Sequence, residues 1–83
     1  MTILYFAWLK EKIGKDEEVV HPPADVATIE DLINWLTTRG PGYVEAFEDR
    51  DVVRAAIDQD FADPDTLIAG ASEVAFFPPV TGG

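Results

Sequence analysis

Residues 28–36 constrain the fold of this chain more than any other stretch. Thr-Ile-Glu-Asp opens it as a capping box, with Thr28 at the N-cap and Asp31 at N3 as an acidic variant of the usual Glu or Gln. Ile29, Leu32, Ile33 and Leu36 follow at i, i+3, i+4 and i+7, so one face of an amphipathic helix is apolar and has to be covered. Gly40 fits the position just past the helix end, with Pro41 behind it as a stop. Residues 43–48 form at most a short second helical segment.

The remaining apolar runs have the period and composition of strands. Residues 2–9 are aromatic and β-branched and read as a central strand, with Ile3, Tyr5, Ala7 and Leu9 on one face and Leu4, Phe6 and Trp8 on the other. Residues 10–15, charged and containing Gly14, read as the connection to a shorter strand at about 17–21, which Pro22 and Pro23 end. Residues 52–57 read as a strand with Val53, Ala55 and Ile57 inward and Val52, Arg54 and Ala56 outward. Residues 58–72 read mostly as loop, with a short strand near Phe61 and turns at Pro64-Asp65 and Gly70. In the last strand, residues 73–77, Val74 and Phe76 share one face and Ala75 and Phe77 the other. The order predicts an α+β domain: four to five strands with one main helix on one face. A single helix leaves the second face open, and the alternation points Phe6, Trp8 and Phe77 there, with Phe61 nearby. An uncovered aromatic patch of this kind marks a partner surface.

Composition narrows the chemistry. Eighty-three residues make one small domain, and none is cysteine, which excludes disulfides, thiolate catalysis and cysteine-held metal. A formal charge of −10 opposes phosphate backbones and anionic membranes, so no nucleic-acid or membrane partner is expected; basic proteins are. No run approaches the roughly 20 apolar residues of a membrane span and no signal peptide opens the chain, so a cytoplasmic protein is expected. His21, the single histidine, has no serine, cysteine or ligand companion at motif spacing and reads as a solvated edge residue. Asp58, Asp60, Asp63 and Asp65 crowd one loop, but an EF-hand rhythm would need a ligand at Ala62 and glycine at Asp63, so no metal site is expected. Trp35 lies off the apolar stripe and reads either as a flank contact to the loop after Gly40, the favoured reading, or as an exposed interface residue. With no phosphate-cradling loop and no nucleophile elbow, nothing here catalyses a reaction alone.

The chemistry then falls to residues 76–83, Phe-Phe-Pro-Pro-Val-Thr-Gly-Gly. Phe76 and Phe77 can anchor in a sheet, whereas Pro78 and Pro79 restrict φ and favour an extended exit, dividing the chain into a domain at 1–77 and a tail at 78–83. Gly82 and Gly83 lack Cβ atoms, so backbone can approach a ligand closely and the terminal carbonyl is unhindered. A carboxylate of pKa about 3.5 is ionised and inert as an electrophile, so it needs activation, most simply adenylation with ATP. An amine would then give protein conjugation, and a persulfide or sulfide would give a thiocarboxylate.

The chain resembles the small subunits of molybdopterin synthase, which are ubiquitin-like sulfur carriers of β-grasp fold. The resemblance spans the opening Ile3-Leu4-Tyr5-Phe6-Ala7, Gly14, residues 28–36 and 53–59, and above all the closing Glu-Val-Ala-Phe-Phe-Pro-Pro-Val-Thr-Gly-Gly. Gly70-Ala71-Ser72-Glu73 stands where the family often has Gly-Asp-Glu, and Asp58 replaces a frequent asparagine. The resemblance implies a mixed sheet, adenylation of Gly83 by an E1-like enzyme that uses ATP, and conversion to a thiocarboxylate by a sulfurtransferase or persulfide donor. It further implies delivery of that sulfur to cyclic pyranopterin monophosphate in the large synthase subunit, within a heterotetramer. Val80, Thr81 and Gly82 would thread the partner's pocket, and Phe6, Phe61, Phe77, Pro78 and Pro79 would form the docking surface. No intrinsic cofactor is expected, and general acids and bases would come from the partners. A thiamine-pathway carrier, a ubiquitin-like modifier and a plain adaptor are the competing readings.

Overall fold

The computed structural model describes residues 1–79. Its elements are β1 (Thr2–Tyr5), α1 (Trp8–Ile13), β2 (Glu17–Val19), α2 (Ile29–Leu36), α3 (Pro41–Ala46), β3 (Arg54–Ile57), β4 (Asp60–Ala62) and β5 (Glu73–Phe77), with 3₁₀ turns at Thr37–Arg39 and Arg50–Val52. The strands form one sheet in the order β2-β1-β5-β3-β4. Only the central β1–β5 pair is parallel, and the others are antiparallel. This is a mixed-sheet, α+β β-grasp domain.

The helix α2 forms where its sequence places it. Thr28 Oγ1 accepts the Asp31 amide at 3.1 Å, and Asp31 Oδ2 accepts the Thr28 amide at 3.2 Å, closing the capping box. The other first-turn amides go to a loop: Ile29 donates to Thr66 O at 3.0 Å and Glu30 to Pro64 O at 2.9 Å. Donors that a helix start leaves unpaired therefore stitch residues 64–66 to the helix. Ile29, Leu32, Ile33 and Leu36 are all buried, each contributing about 1.5–3 kcal/mol of apolar burial. They meet Ile3 and Tyr5 of β1 and Val74 and Phe76 of β5 in one core. The ring of Phe76 lies nearly parallel to Tyr5 at 6.4 Å and edge-on to Phe47 at 5.1 Å.

Two expectations need correction. Residues 2–9 are not one strand: β1 stops at Tyr5, and Ala7, at φ 55° and ψ −131°, turns the chain into α1. Leu9 donates to Phe6 O at 3.2 Å across that turn. The residues from Trp8 onward obey a helical period, with Leu9 buried, Trp8 and Ile13 against the core, and Lys10, Glu11 and Lys12 exposed. Trp8 is thus removed from the open face. Gly14 ends this helix in the left-handed conformation, φ 89°, its amide on Lys10 O at 2.8 Å. Gly40 is likewise no left-handed cap: at φ 155° and ψ 168° it starts α3, with Pro41 as the first helical residue. Smaller adjustments follow at β2, which ends at Val19, and at β3, which begins at Arg54 because Val52 belongs to a 3₁₀ turn.

Candidate functional site

The register defines the face that α2 leaves uncovered. Glu17, Leu4, Ala75, Ala56 and Phe61 are successive partners across all five strands, and Phe77 pairs with Arg54 in the neighbouring row. Residues opposite one another point to the same side of a sheet, so these side chains share the open face. The two alanines at its centre are 8–9% exposed and form a low floor between larger residues. Phe61, on the edge strand β4, is 85% exposed, and its ring lies 5.9 Å from that of Phe77 at an interplanar angle of 55°. Arg54, Phe61, Phe77 and Pro79 line one groove with Ala55, Ala62 and Asp63. The chain leaves β5 through Pro78 and Pro79, both half-buried, at the edge of this groove.

Of the predicted docking residues, Phe61, Phe77 and Pro79 are therefore brought together, and Pro78 joins them by continuity of the chain. Phe6 is 48% exposed and stands apart, lining a hollow with Leu4, Lys10 and Glu17; its amide extends the central ladder by donating to Phe76 O at 3.1 Å. Gly83, Gly82, Thr81 and Val80 lie outside the described residues. His21 is exposed, and Trp35 is half-buried against the core with the Arg39 guanidinium 5.3 Å from its ring centre. The acidic loop has a structural use at Asp58, whose carboxylate accepts the amides of Ser72 and Glu73 at 3.1 and 2.9 Å and sets the entry to β5. Asp58 and Gln59 both have positive φ, 48° and 76°, as the tight turn between β3 and β4 requires. An asparagine would suit that conformation, and Asp58 meets the same demand.

Sequence reasoning missed two groups. Arg54 was read only as outward, yet it is the cation beside Phe77. The other is centred on Glu18, whose Oε2 accepts from the hydroxyls of Tyr5 and Tyr43 at 2.7 Å each, while its Oε1 lies 3.2 Å from Arg39 and 3.5 Å from Lys15. Burial would push the Glu18 carboxyl up, but hydrogen bonds from Tyr43 and Tyr5 and the charges of Arg39 and Lys15 outweigh it and hold the carboxyl below the usual range. Burial, then the Glu18 hydrogen bond, pushes the Tyr5 and Tyr43 hydroxyls above theirs. No spacing in the sequence announces this cluster.

Comparison with known proteins decides the family. The ThiS family model matches residues 3–83. The chain belongs to the ThiS family. Among its relatives, the molybdopterin synthase sulfur carrier subunit of Escherichia coli K12 is 37% identical over 83 residues, covering 100% of this chain and 99% of that protein. A structure described as a putative molybdopterin converting factor, subunit 1, from Pyrococcus furiosus superposes with a TM-score of 0.74 at 28% identity, over 95% of each chain. The small archaeal modifier protein 1 of Haloferax volcanii superposes at 0.68 and 28% identity, over 96% of this chain and 97% of that one. The parallel pairing of β1 with β5 places the exit of the last strand at the centre of the sheet. Among the described residues no helix is long and apolar enough to cross a membrane, and no group of acidic or histidine side chains could hold a metal ion.

Proposed function

We propose that the chain is the sulfur carrier subunit of a molybdopterin synthase. The observation that carries this reading is the end-to-end similarity to a curated sulfur carrier subunit, with 37% identity over all 83 residues. The open face beside the exit of β5 supports it, since a carrier must dock by its body while its tail reaches elsewhere. In this reading a Gly83 carboxylate oxygen attacks the α-phosphorus of ATP on an E1-like enzyme, giving an acyl-adenylate and releasing pyrophosphate. A sulfide sulfur then attacks the carbonyl carbon, AMP leaves, and a thiocarboxylate remains. With a persulfide donor the same attack gives an acyl disulfide, and a thiol of the donor enzyme then attacks the donor's own sulfur, forming a disulfide there and releasing the thiocarboxylate. Val80, Thr81 and Gly82 thread the large subunit, where sulfur passes to cyclic pyranopterin monophosphate and water restores the carboxylate. Two carriers in turn supply the two dithiolene sulfurs, which suits a heterotetramer. Glycine at 82 and 83 keeps the reacting carbonyl free of side-chain hindrance.

Deleting Gly82 and Gly83 is expected to leave the thermal midpoint unchanged and to abolish molybdopterin formation by the reconstituted synthase. A truncated chain that still supports formation would end the carrier reading. The likeness to the Haloferax volcanii modifier favours a second reading, in which activated Gly83 acylates lysines. Intact mass of the chain recovered from cells separates the two: exchange of one oxygen for one sulfur supports the carrier, whereas a ladder of conjugates supports the modifier.

A further inference from the structure

Arg54 stands where an apolar docking face would least be expected to hold a charge. It pairs across strands with Phe77 and lines the groove of Phe61, Phe77 and Pro79, so it lies beside the aromatic pair where the chain leaves β5. Its Nη1 donates to Asp51 O at 2.8 Å and Val53 O at 3.2 Å, which fixes the stem of the guanidinium against the 3₁₀ turn. Among the described residues, Nε and Nη2 have no hydrogen-bond partner, and the ion pairs found involve Lys15 and Arg39 but not Arg54. The charge is exposed in the free chain. The chain carries six basic residues against sixteen acidic ones, so a cation held at this point runs against the net charge of the molecule.

Covering the face with an apolar surface alone would strip water from the free edge of a guanidinium and return nothing, a cost that opposes binding. A carboxylate meeting Nε and Nη2 side-on satisfies the planar fork with two parallel hydrogen bonds. We propose, on the carrier reading above, that Arg54 is a specificity-determining residue for the synthase large subunit. The surface that covers Phe61 and Phe77 presents an Asp or Glu carboxylate to the Arg54 guanidinium, within an otherwise basic partner. An apolar or basic residue at that place would reject this carrier, so Arg54 sorts the cognate large subunit from others.

The test is binding of the full-length chain to the large subunit from the same organism, measured by calorimetry at low and high salt. Wild type is compared with Arg54→Lys, Arg54→Leu, Arg54→Glu and Phe77→Ala, with thermal midpoints confirming that each folds. Arg54→Glu is expected to raise Kd at least about tenfold, more steeply at low salt, as like charges face each other across the interface. Arg54→Lys keeps the charge but loses the second parallel hydrogen bond, so its affinity falls between wild type and Arg54→Leu, and Arg54→Leu flattens the salt dependence, which a purely structural role would not. If Arg54→Glu binds as well as wild type or better while Phe77→Ala weakens binding, the carboxylate is absent and the proposal is overturned with the docking face intact. If Phe77→Ala also binds unchanged, the docking face itself is wrong and both fall.

Discussion

Ala7 carries more conformational strain than any neighbour, because a Cβ-bearing residue at φ 55° and ψ −131° occupies backbone space that glycine enters freely. The strain is retained because the turn it makes is over-determined, with β1 paired on both sides before it and the buried Leu9 after it. Ala7→Gly removes the clash while slightly loosening the unfolded chain, and the first effect dominates at positive φ. It is expected to stabilise the fold by about 0.5 kcal/mol or more, read as an upward shift of the denaturant midpoint. A midpoint that falls would show that the Ala7 side chain contributes packing not evident from its exposure. At the same scale, in the proposed docking the aromatic pair Phe61–Phe77 supplies apolar contact and the cation Arg54 supplies recognition.

Among the elements, α1 and α3 approach each other closely. A Cβ built on Gly42 would sit 2.5 Å from the Lys12 carbonyl oxygen and 3.5 Å from Ile13 Cα, so the helices meet backbone to backbone at that point. Neither obstacle is the movable end of a side chain. Gly42→Ala is therefore expected to destabilise the protein by about 1–3 kcal/mol, although alanine is the better helix former, and to leave the steepness of the denaturation curve unchanged. A neutral or stabilised variant would mean that α1 can slide. The start of α2 shows the opposite strategy, in which exposed amides are used to hold residues 64–66 and, through them, the loop that precedes β5.

For the whole molecule, the Glu18 cluster ties β1, β2, the 3₁₀ turn at Thr37–Arg39 and α3 together in one ionic and hydrogen-bonded knot. The folded carboxyl of Glu18 titrates below its ordinary value, so the stability it contributes is present above about pH 4.3 and is lost as pH falls through the depressed value. The Tyr5 and Tyr43 hydroxyls titrate above theirs, so their contribution is present below about pH 10 and is lost as pH rises through the raised values. Asp31, lowered by its bonds from the Ala27 and Thr28 amides, adds to the acid limb. The thermal midpoint should then be flat between these limits and fall on both sides. In Glu18→Gln the acid limb should flatten and the plateau drop; an acid limb of unchanged depth would take it away from Glu18 and leave it to Asp31.

The helix at 29–36, its cap and the alternation of β5, with Phe76 inward and Phe77 outward, were legible in the sequence because each rests on interactions within a few residues or on a period shared by neighbours. The split of residues 2–9 into strand and helix was not, since a short apolar run satisfies both periods until Ala7 turns and Leu9 finds its place in the core. Nor was the cluster of residues 5, 15, 18, 39 and 43, or the position of Arg54 against Phe77, because those contacts follow from strand order and register. By itself the sequence determined an α+β chain with one capped amphipathic helix and a Phe-Phe-Pro-Pro run leading to Gly82 and Gly83. Only the tertiary structure decided which side chains share the open face and where a charge stands among them, because register is settled by the joint burial of all five strands and not by any one of them.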